Sequence, residues 1–217
     1  AAPNEITLWR VADGTKLAAV VQGGQIYRSS DSGVTWTPQE SDRNWLSVAS
    51  SADGTKLVAV VSDGYIYTST NSGMNWTSRL TDVNRDWSSV ASSADGTKLV
   101  AVGSSGIYTS TDSGVNWTLR GGLSAADAVA SSADGTKLVA VQDGGQIYTS
   151  TDSGANWTAR ESNRQWVSVA SSADGTKLVA VLNFGQIYTS TDSGANWTAR
   201  ADSIEWHSVA SSADRTK

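Results

Sequence analysis

Residues 166–200 read WVSVASSADGTKLVAVLNFGQIYTSTDSGANWTAR, and most of that string also stands forty positions earlier in the chain. It divides into four short runs separated by turn signals. WVSVASS leads to the turn ADGT, KLVAVL to NFG and QIYTST to DSGA, and NWTAR ends the unit. Asp-Gly and other Gly-containing gaps between β-branched runs are hairpin signals. The first run is rich in Ser and Ala, which suits a crowded inner position. KLVAV is apolar on both faces, as expected of a strand covered from both sides.

Working outward from this unit, ADGTK begins at residues 12, 52, 94, 133 and 173, and ADRTK at 213. A period near forty residues filled with short strands reads as a propeller blade of four strands, and no long helical periodicity competes with it. The expected fold is all-β: a five-bladed β-propeller of four-stranded antiparallel blades in a single domain spanning 1–217. The units run about 5–44, 45–86, 87–125, 126–165 and 166–205, with 206–217 as a closing strand. WHSVASS (206–212) matches the internal first strands well. EITLWRV (5–11) matches poorly, with Trp9 where the others have Ala. The C-terminal segment is therefore the candidate to close the ring by giving the first unit its inner strand. Arg215, in place of the turn Gly, fits a segment with no hairpin to form. An N-terminal inner strand, or completion by another chain, are the alternatives, and the oligomeric state stays open.

The pattern S-x-D-x-G-x-x-W recurs at Ser29–Trp36, Ser69–Trp76, Ser110–Trp117, Ser150–Trp157 and Ser190–Trp197, with Asn71 in one Asp position. It resembles the Asp-box of sialidase-like, or BNR-repeat, propellers. The resemblance implies structural roles for Asp31, Gly33, Trp36, Asn71, Gly73, Trp76, Asp112, Gly114, Trp117, Asp152, Gly154, Trp157, Asp192, Gly194 and Trp197. There the carboxylate accepts backbone N–H bonds, Gly turns the chain, and Trp packs over the loop. Full burial of each Trp would remove ~150–250 Å² from water, a gross ~4–6 kcal/mol before entropy. The chain also looks like the Asp-box repeats of photosystem II assembly factors and sortilin-type receptors, which bind polypeptides.

Composition excludes several functions. The formal charge of −5 argues against nucleic acid as a partner, and the absence of Cys removes disulfides and thiolate metal sites. No apolar run is long enough for a membrane span, and no metal or cofactor motif occurs. His207 is the only histidine and has no marked nucleophile beside it. The nucleophile pair of the sialidases cannot be placed on any motif, so the expectation is a non-enzyme. The opening AAPNEI reads either as a signal-peptide remnant, implying a secreted protein, or as an arbitrary boundary. The NWT acceptors at Asn75, Asn116, Asn156 and Asn196 read as structural, and so many would be awkward in a eukaryotic secretory route, which points to bacteria.

Function is sought where the copies disagree. Residues 129–160 and 169–200 differ only where Gln142-Asp143-Gly144 becomes Leu182-Asn183-Phe184, in the turn between second and third strands. The loops joining fourth to first strands vary as well, and alternating strand direction puts both loop sets on one rim. Loops on a rigid scaffold are where ligands bind. Asp42-Arg43-x-Trp45, Asn84-Arg85-x-Trp87 and Asn163-Arg164-x-Trp166 recur in the joining loops. The candidate ligand-binding set is Arg43, Trp45, Tyr65, Arg85, Trp87, Arg164, Trp166, Phe184 and Trp206. An exposed Trp beside Arg would stack on a pyranose, so the reading is a lectin-like glycan or saccharide binder. The bland alternative makes each Trp a wedge between blades with Arg lying over it. Arg79, Arg120, Arg160 and Arg200, three positions after the Asp-box Trp, read as surface charge. A protein-interaction scaffold is the alternative function, followed by a glycosidase and by a symmetric fragment or engineered array.

Overall fold

The computed structural model describes residues 6–10, 14–121 and 125–211. These are all-β and antiparallel, in three hydrogen-bonded sheets of six, four and seven strands. The repeat shows through as five successive four-stranded meanders. The first comprises β1 (Ile6–Arg10), β2 (Leu17–Ser29) and the start of β3 (Thr37–Ser50), with β2 spanning the second and third strand positions. The rest of β3 opens the second unit, followed by β4 (Leu57–Val61), β5 (Ile66–Ser69) and β6 (Thr77–Arg79). The third holds β7 (Trp87–Ser92), β8 (Leu99–Gly103), β9 (Gly106–Ser110) and β10 (Thr118–Arg120). The fourth holds β11 (Ala128–Ser131), β12 (Leu138–Val141), β13 (Asp143–Ser150) and the start of β14 (Thr158–Ser171). The fifth takes the rest of β14 with β15 (Leu178–Leu182), β16 (Gly185–Ser190) and β17 (Thr198–Ile204).

The core lies between units. Side chains alternate across a strand, so KLVAV offers one set of residues to each neighbouring unit. Leu57, Ala59 and Val61 pack with Ala18, Val20 and Ile26 of the first unit. Val58 and Val60, the other face of the same strand, pack with Ile66 and with Trp87, Val90, Leu99 and Ala101 of the third unit. The pattern repeats at the next two junctions. All five residues of β4 and of β8 are buried, as expected of a strand covered on both sides.

Two further kinds of contact recur between successive units beyond this packing. At the ADGT turns, Ala52 N–H donates to Ala94 O, Ala94 N–H to Ala133 O and Ala133 N–H to Ala173 O, each at 2.7 Å. In the same turns a lysine reaches forward: Lys16 Nζ donates to Asp53 O, Lys56 Nζ to Asp95 O and Lys137 Nζ to Asp174 O. The lysine stem lies over the turn glycine of the next unit. A Cβ at Gly135 would stand 2.8 Å from Lys98 Cβ, so this approach requires glycine.

Around the axis, the inner strands of units two to five, with Ala210 and Ser211, line a cavity of about 310 Å³. Its walls are Ala, Ser and Val, matching the small inner-strand residues of the sequence. Closure, however, differs from the expectation. The first unit already has an inner strand, β1, paired from Ile6↔Val21 to Arg10↔Leu17. Trp9 sits opposite Ala18, the register Ala49 has opposite Val58. Residues 205–211 form no strand, and among the described residues the first and last sheets do not pair. Residues 212–217, with Arg215, lie outside the described residues. The segment 206–211 instead lies on the fifth unit: Trp206 Nε1 donates to Gly185 O at 2.9 Å, and Val209 N–H to Ser168 Oγ at 3.2 Å. Trp87 to Gly64 O and Val90 to Ser47 Oγ are the same two contacts at the junction of the second and third units.

The inner-strand Trp should therefore outweigh the Asp-box Trp energetically. Trp87 is fully buried, whereas Trp117 is half-buried. Trp87→Ala is expected to cost about 3–5 kcal/mol, and Trp117→Ala clearly less, measured by urea unfolding. Equal losses would contradict this ranking.

Candidate functional site

The two rims are built differently. On one, the ADGT turn and the DSG loop are joined within each unit: Ser72 N–H donates to Thr55 O, Ser113 to Thr97 O, Ser153 to Thr136 O and Ser193 to Thr176 O. Each DSG loop places Ser and Gly at positive φ, for example Ser113 at 59° and Gly114 at 83°. Ser110 Oγ donates to Asp112 Oδ1 and accepts from Gly114 N–H, while Asp112 accepts Asn116 N–H and Nδ2. Trp117 Nε1 donates to Gly114 O, laying the indole over the loop. Asn71 keeps the Asn75 N–H bond through its one oxygen, which explains how amide replaces carboxylate there. Asn116, Asn156 and Asn196 spend their amides on the adjacent Asp, in line with a structural reading of NWT.

The opposite rim gathers the variable segments. The joining loops bond to the turns between second and third strands: Gly64 and Arg85 exchange backbone bonds, Ser62 N–H donates to Asn44 O, and Asn183 N–H to Gln165 O. Alternating strand direction thus brings together the two loop sets that differ most among the copies.

Within this rim the R-x-W motif does not present open tryptophans. Trp45, Trp87 and Trp166 are 0–1% exposed. Each ring meets a tyrosine of its own unit edge-on: Trp45 with Tyr67 at 4.9 Å, Trp87 with Tyr108 at 5.2 Å and Trp166 with Tyr188 at 5.1 Å. Arg43, Arg85 and Arg164 cover the same tyrosines, at 5.0, 5.2 and 5.1 Å from guanidinium carbon to ring centroid. This corrects the saccharide-stacking role for those tryptophans: no pyranose reaches a ring that its neighbours enclose. Arg85 is held further by a bidentate pair with Asp82 and a bond to Tyr108 Oη. That pairing holds the Asp82 carboxyl down to about 2. The partner tyrosine belongs to an Ile-Tyr pair, and the recurrence of that pair in every unit was the sequence signal for this stack. In the fourth unit Ala126 replaces Trp, and Tyr148 is only half-buried.

The remaining candidates separate by exposure. Tyr65 is half-buried against the first inter-unit core. Trp206 is half-buried on Gly185. Phe184 is 69% exposed, with φ +52°. The equivalent residues are Gly23, Asp63 and Gly144, also at positive φ. Gly takes this conformation freely and Asp tolerates it, while a bulky residue there is an outlier. Val83, in a joining loop, and Ile204, at the end of β17, are exposed and add apolar surface to the rim, and neither was among the sequence candidates.

Elsewhere the chemistry is sparse. Arg79, Arg120, Arg160 and Arg200 each donate through Nε to a threonine of the adjacent third strand, as repeated surface contacts would. His207 is exposed near Glu205. Among the described residues no three His, Cys, Asp or Glu cluster to hold a metal, and no helix is long and apolar enough to cross a membrane.

No family model matches the chain, and no curated protein matches it. Solved structures do. A GH74 enzyme from Niastella koreensis aligns over 90% of this chain and 31% of its own, at 23% identity and TM-score 0.69. An ancestral GH74 enzyme aligns over 100% and 34%, at 17% identity and TM-score 0.75. YCF48 from Cyanidioschyzon merolae aligns over 92% and 73%, at 17% identity and TM-score 0.67. The chain thus spans about a third of the GH74 enzymes it matches. These are β-propeller proteins, and at such identities the likeness is one of fold.

The structured rim has a pH signature. Hydrogen bonds from neighbouring hydroxyl, amide and backbone N–H groups hold Asp31, Asp53, Asp95, Asp112, Asp134, Asp152 and Asp192 at about 2, below the usual 3.8. A depressed folded pKa stabilises above the unfolded value and ceases to do so as pH falls through the folded one. The melting temperature followed by circular dichroism is therefore expected to stay level above about pH 5 and to fall between about pH 4 and 2. A level profile down to pH 2 would contradict these bonds.

Proposed function

We propose that the chain is a non-catalytic, five-bladed binding propeller, each four-stranded unit being one blade, and that its variable rim takes a polypeptide partner anchored on Phe184. The observation that carries this is a large apolar side chain, open to solvent, in a backbone conformation that disfavours it. Strain of that kind costs of order 1–3 kcal/mol and is characteristic of ligand clamps. Val83 and Ile204 supply further apolar contact of the type a peptide side chain would cover. Support for a non-catalytic role comes from the axial cavity. Ser50, Ser92, Ser131 and Ser171 line it, and their hydroxyls donate to the next residue's carbonyl, so the described residues bring no acid, base or activated nucleophile together there. The enzymatic activity of the GH74 proteins is accordingly not carried over.

A second reading, a carbohydrate binder, rests on the open ring face of Phe184 with half-buried Tyr65 and Trp206. It no longer draws on Trp45, Trp87 or Trp166.

Phe184→Gly separates binding from folding. Glycine removes the backbone strain, so the variant is expected to melt at the same temperature or higher. Peptides selected from a random display library on the wild-type chain are expected to bind it about tenfold or more weakly. Selective loss of a sugar from a glycan panel would favour the second reading. Unchanged binding of every selected ligand would overturn the role of Phe184.

A further inference from the structure

Asn-Trp-Thr occurs at Asn75, Asn116, Asn156 and Asn196, each time at the exit of a loop between third and fourth strands. It is an acceptor pattern for asparagine-linked glycosylation, in which the Asn amide nitrogen takes the sugar and a hydroxyl stands two residues on. All four asparagines are exposed, and so are Thr77, Thr118, Thr158 and Thr198. The indole between them folds back over its loop, through Nε1 to a glycine carbonyl, which leaves amide and hydroxyl on the solvent side. Exposure therefore does not distinguish the copies.

The partner of the amide does distinguish them. Asn116 Nδ2 donates to Asp112 Oδ2, Asn156 Nδ2 to Asp152 Oδ2 and Asn196 Nδ2 to Asp192 Oδ2, each at 2.7 Å. These are charge-assisted bonds, stronger than those between neutral groups. In the second unit Asn71 stands in the Asp position. Its one oxygen accepts Ser69 Oγ–H at 3.0 Å and Asn75 N–H at 2.9 Å. The atom left to stand for Asp112 Oδ2 is an amide nitrogen, which donates and does not accept. Asn75 Nδ2 accordingly makes no hydrogen bond to any described residue, although its backbone is held as in the other copies. The first unit has Thr35 at this position and offers no acceptor asparagine.

The difference bears directly on reactivity. In glycosyl transfer the amide nitrogen attacks the anomeric carbon of an activated sugar. The bond from that carbon to a diphosphate oxygen breaks, the diphosphate leaves with the electron pair, and one amide proton passes to a base of the transferase. The nitrogen lone pair is delocalised into the amide carbonyl, so the NH2 group has to twist out of plane before it attacks. A carboxylate that grips the NH2 at hydrogen-bond distance opposes that twist. An NH2 with no partner turns freely.

We propose that Asn75 is a glycosylation site of the folded chain, taking a sugar from a nucleotide-activated donor, and that the loop carboxylates close the other three sequons. Asn71 is the residue that opens it. The exchange of Asp for Asn there keeps both bonds that shape the loop and gives up only the one that would restrain the acceptor amide. The loop belongs to the structured rim, so a sugar on Asn75 stands away from Phe184. The site is independent of the binding role proposed for the variable rim.

The test treats the folded chain with a soluble asparagine glycosyltransferase specific for Asn-x-Ser/Thr and with UDP-glucose, and maps the product by mass spectrometry. A tryptic digest of the same chain serves as the unfolded reference, since cleavage leaves each of the four sequons whole on its own peptide. The folded chain is expected to gain one hexose, on Asn75, while the digest is modified at all four asparagines. Two variants, verified as folded by circular dichroism, move the site. Asn71→Asp supplies the missing acceptor oxygen, and Asn75 is expected to react about tenfold or more slowly. Asp112→Asn removes the grip on Asn116, which is expected to take a second hexose. Folded wild-type chain modified at Asn116, Asn156 or Asn196 as fast as at Asn75 would overturn the proposal without reference to either variant. So would an Asn75 that stays bare in the folded chain or in the digest, or an Asn71→Asp chain that reacts as wild type does.

Discussion

The fold depends on one arrangement: a strand with no solvent face, pressed between two neighbouring sheets. In KLVAV and its copies, alternate residues belong to different inter-unit cores, so no unit completes its own packing. Stability in such an array is a sum of unit terms and nearest-neighbour terms. The neighbour terms here comprise the valine–isoleucine face against the leucine–alanine–tyrosine face, the alanine-to-alanine backbone bonds and the lysine clasp over the next turn. From the second unit to the fifth each is repeated with the same residues, whereas the first unit presents Ala18 in place of the first valine, and the copies resemble one another most closely in these positions.

The same constraint divides labour between the rims. The ADGT turn and the DSG loop bond to each other and to the neighbouring unit, so their residues are fixed by many partners at once. The turns between second and third strands bond mainly to the joining loops beside them. They tolerate Gln-Gly-Gly, Ser-Asp-Gly or Asn-Phe-Gly without disturbing the inter-unit core. A strained aromatic is affordable at Phe184 because little else depends on that turn.

Much of the architecture was legible in the sequence. Periodicity located the four strands of each unit, the doubly apolar run identified the sandwiched strand, and S-x-D-x-G-x-x-W marked the loop whose hydrogen bonds are observed. The candidate site was legible only in part. Choosing the variable rim rests on strand direction, which a meander fixes. Choosing Trp45, Trp87 and Trp166 required knowing their exposure, which residue type does not supply: the tyrosine that encloses each of them lies some twenty positions downstream. Register misled the assignment of 206–212 in the same way. Its sequence suits an inner strand better than that of β1, but resemblance to a strand does not say which sheet edge is vacant, and β1 fills the edge of the first unit.

Native-state hydrogen exchange measures the sandwiched strand most directly. Amides of Val58–Val60, Val100–Val102 and Val139–Val141 are expected to exchange slowest in the chain, opening only with global unfolding. Those of the outer strands β6 and β10 should exchange orders of magnitude faster, since they lie at sheet edges. Comparable rates in the two sets would mean that the inter-unit cores do not hold the molecule together, and the account would fail at its base.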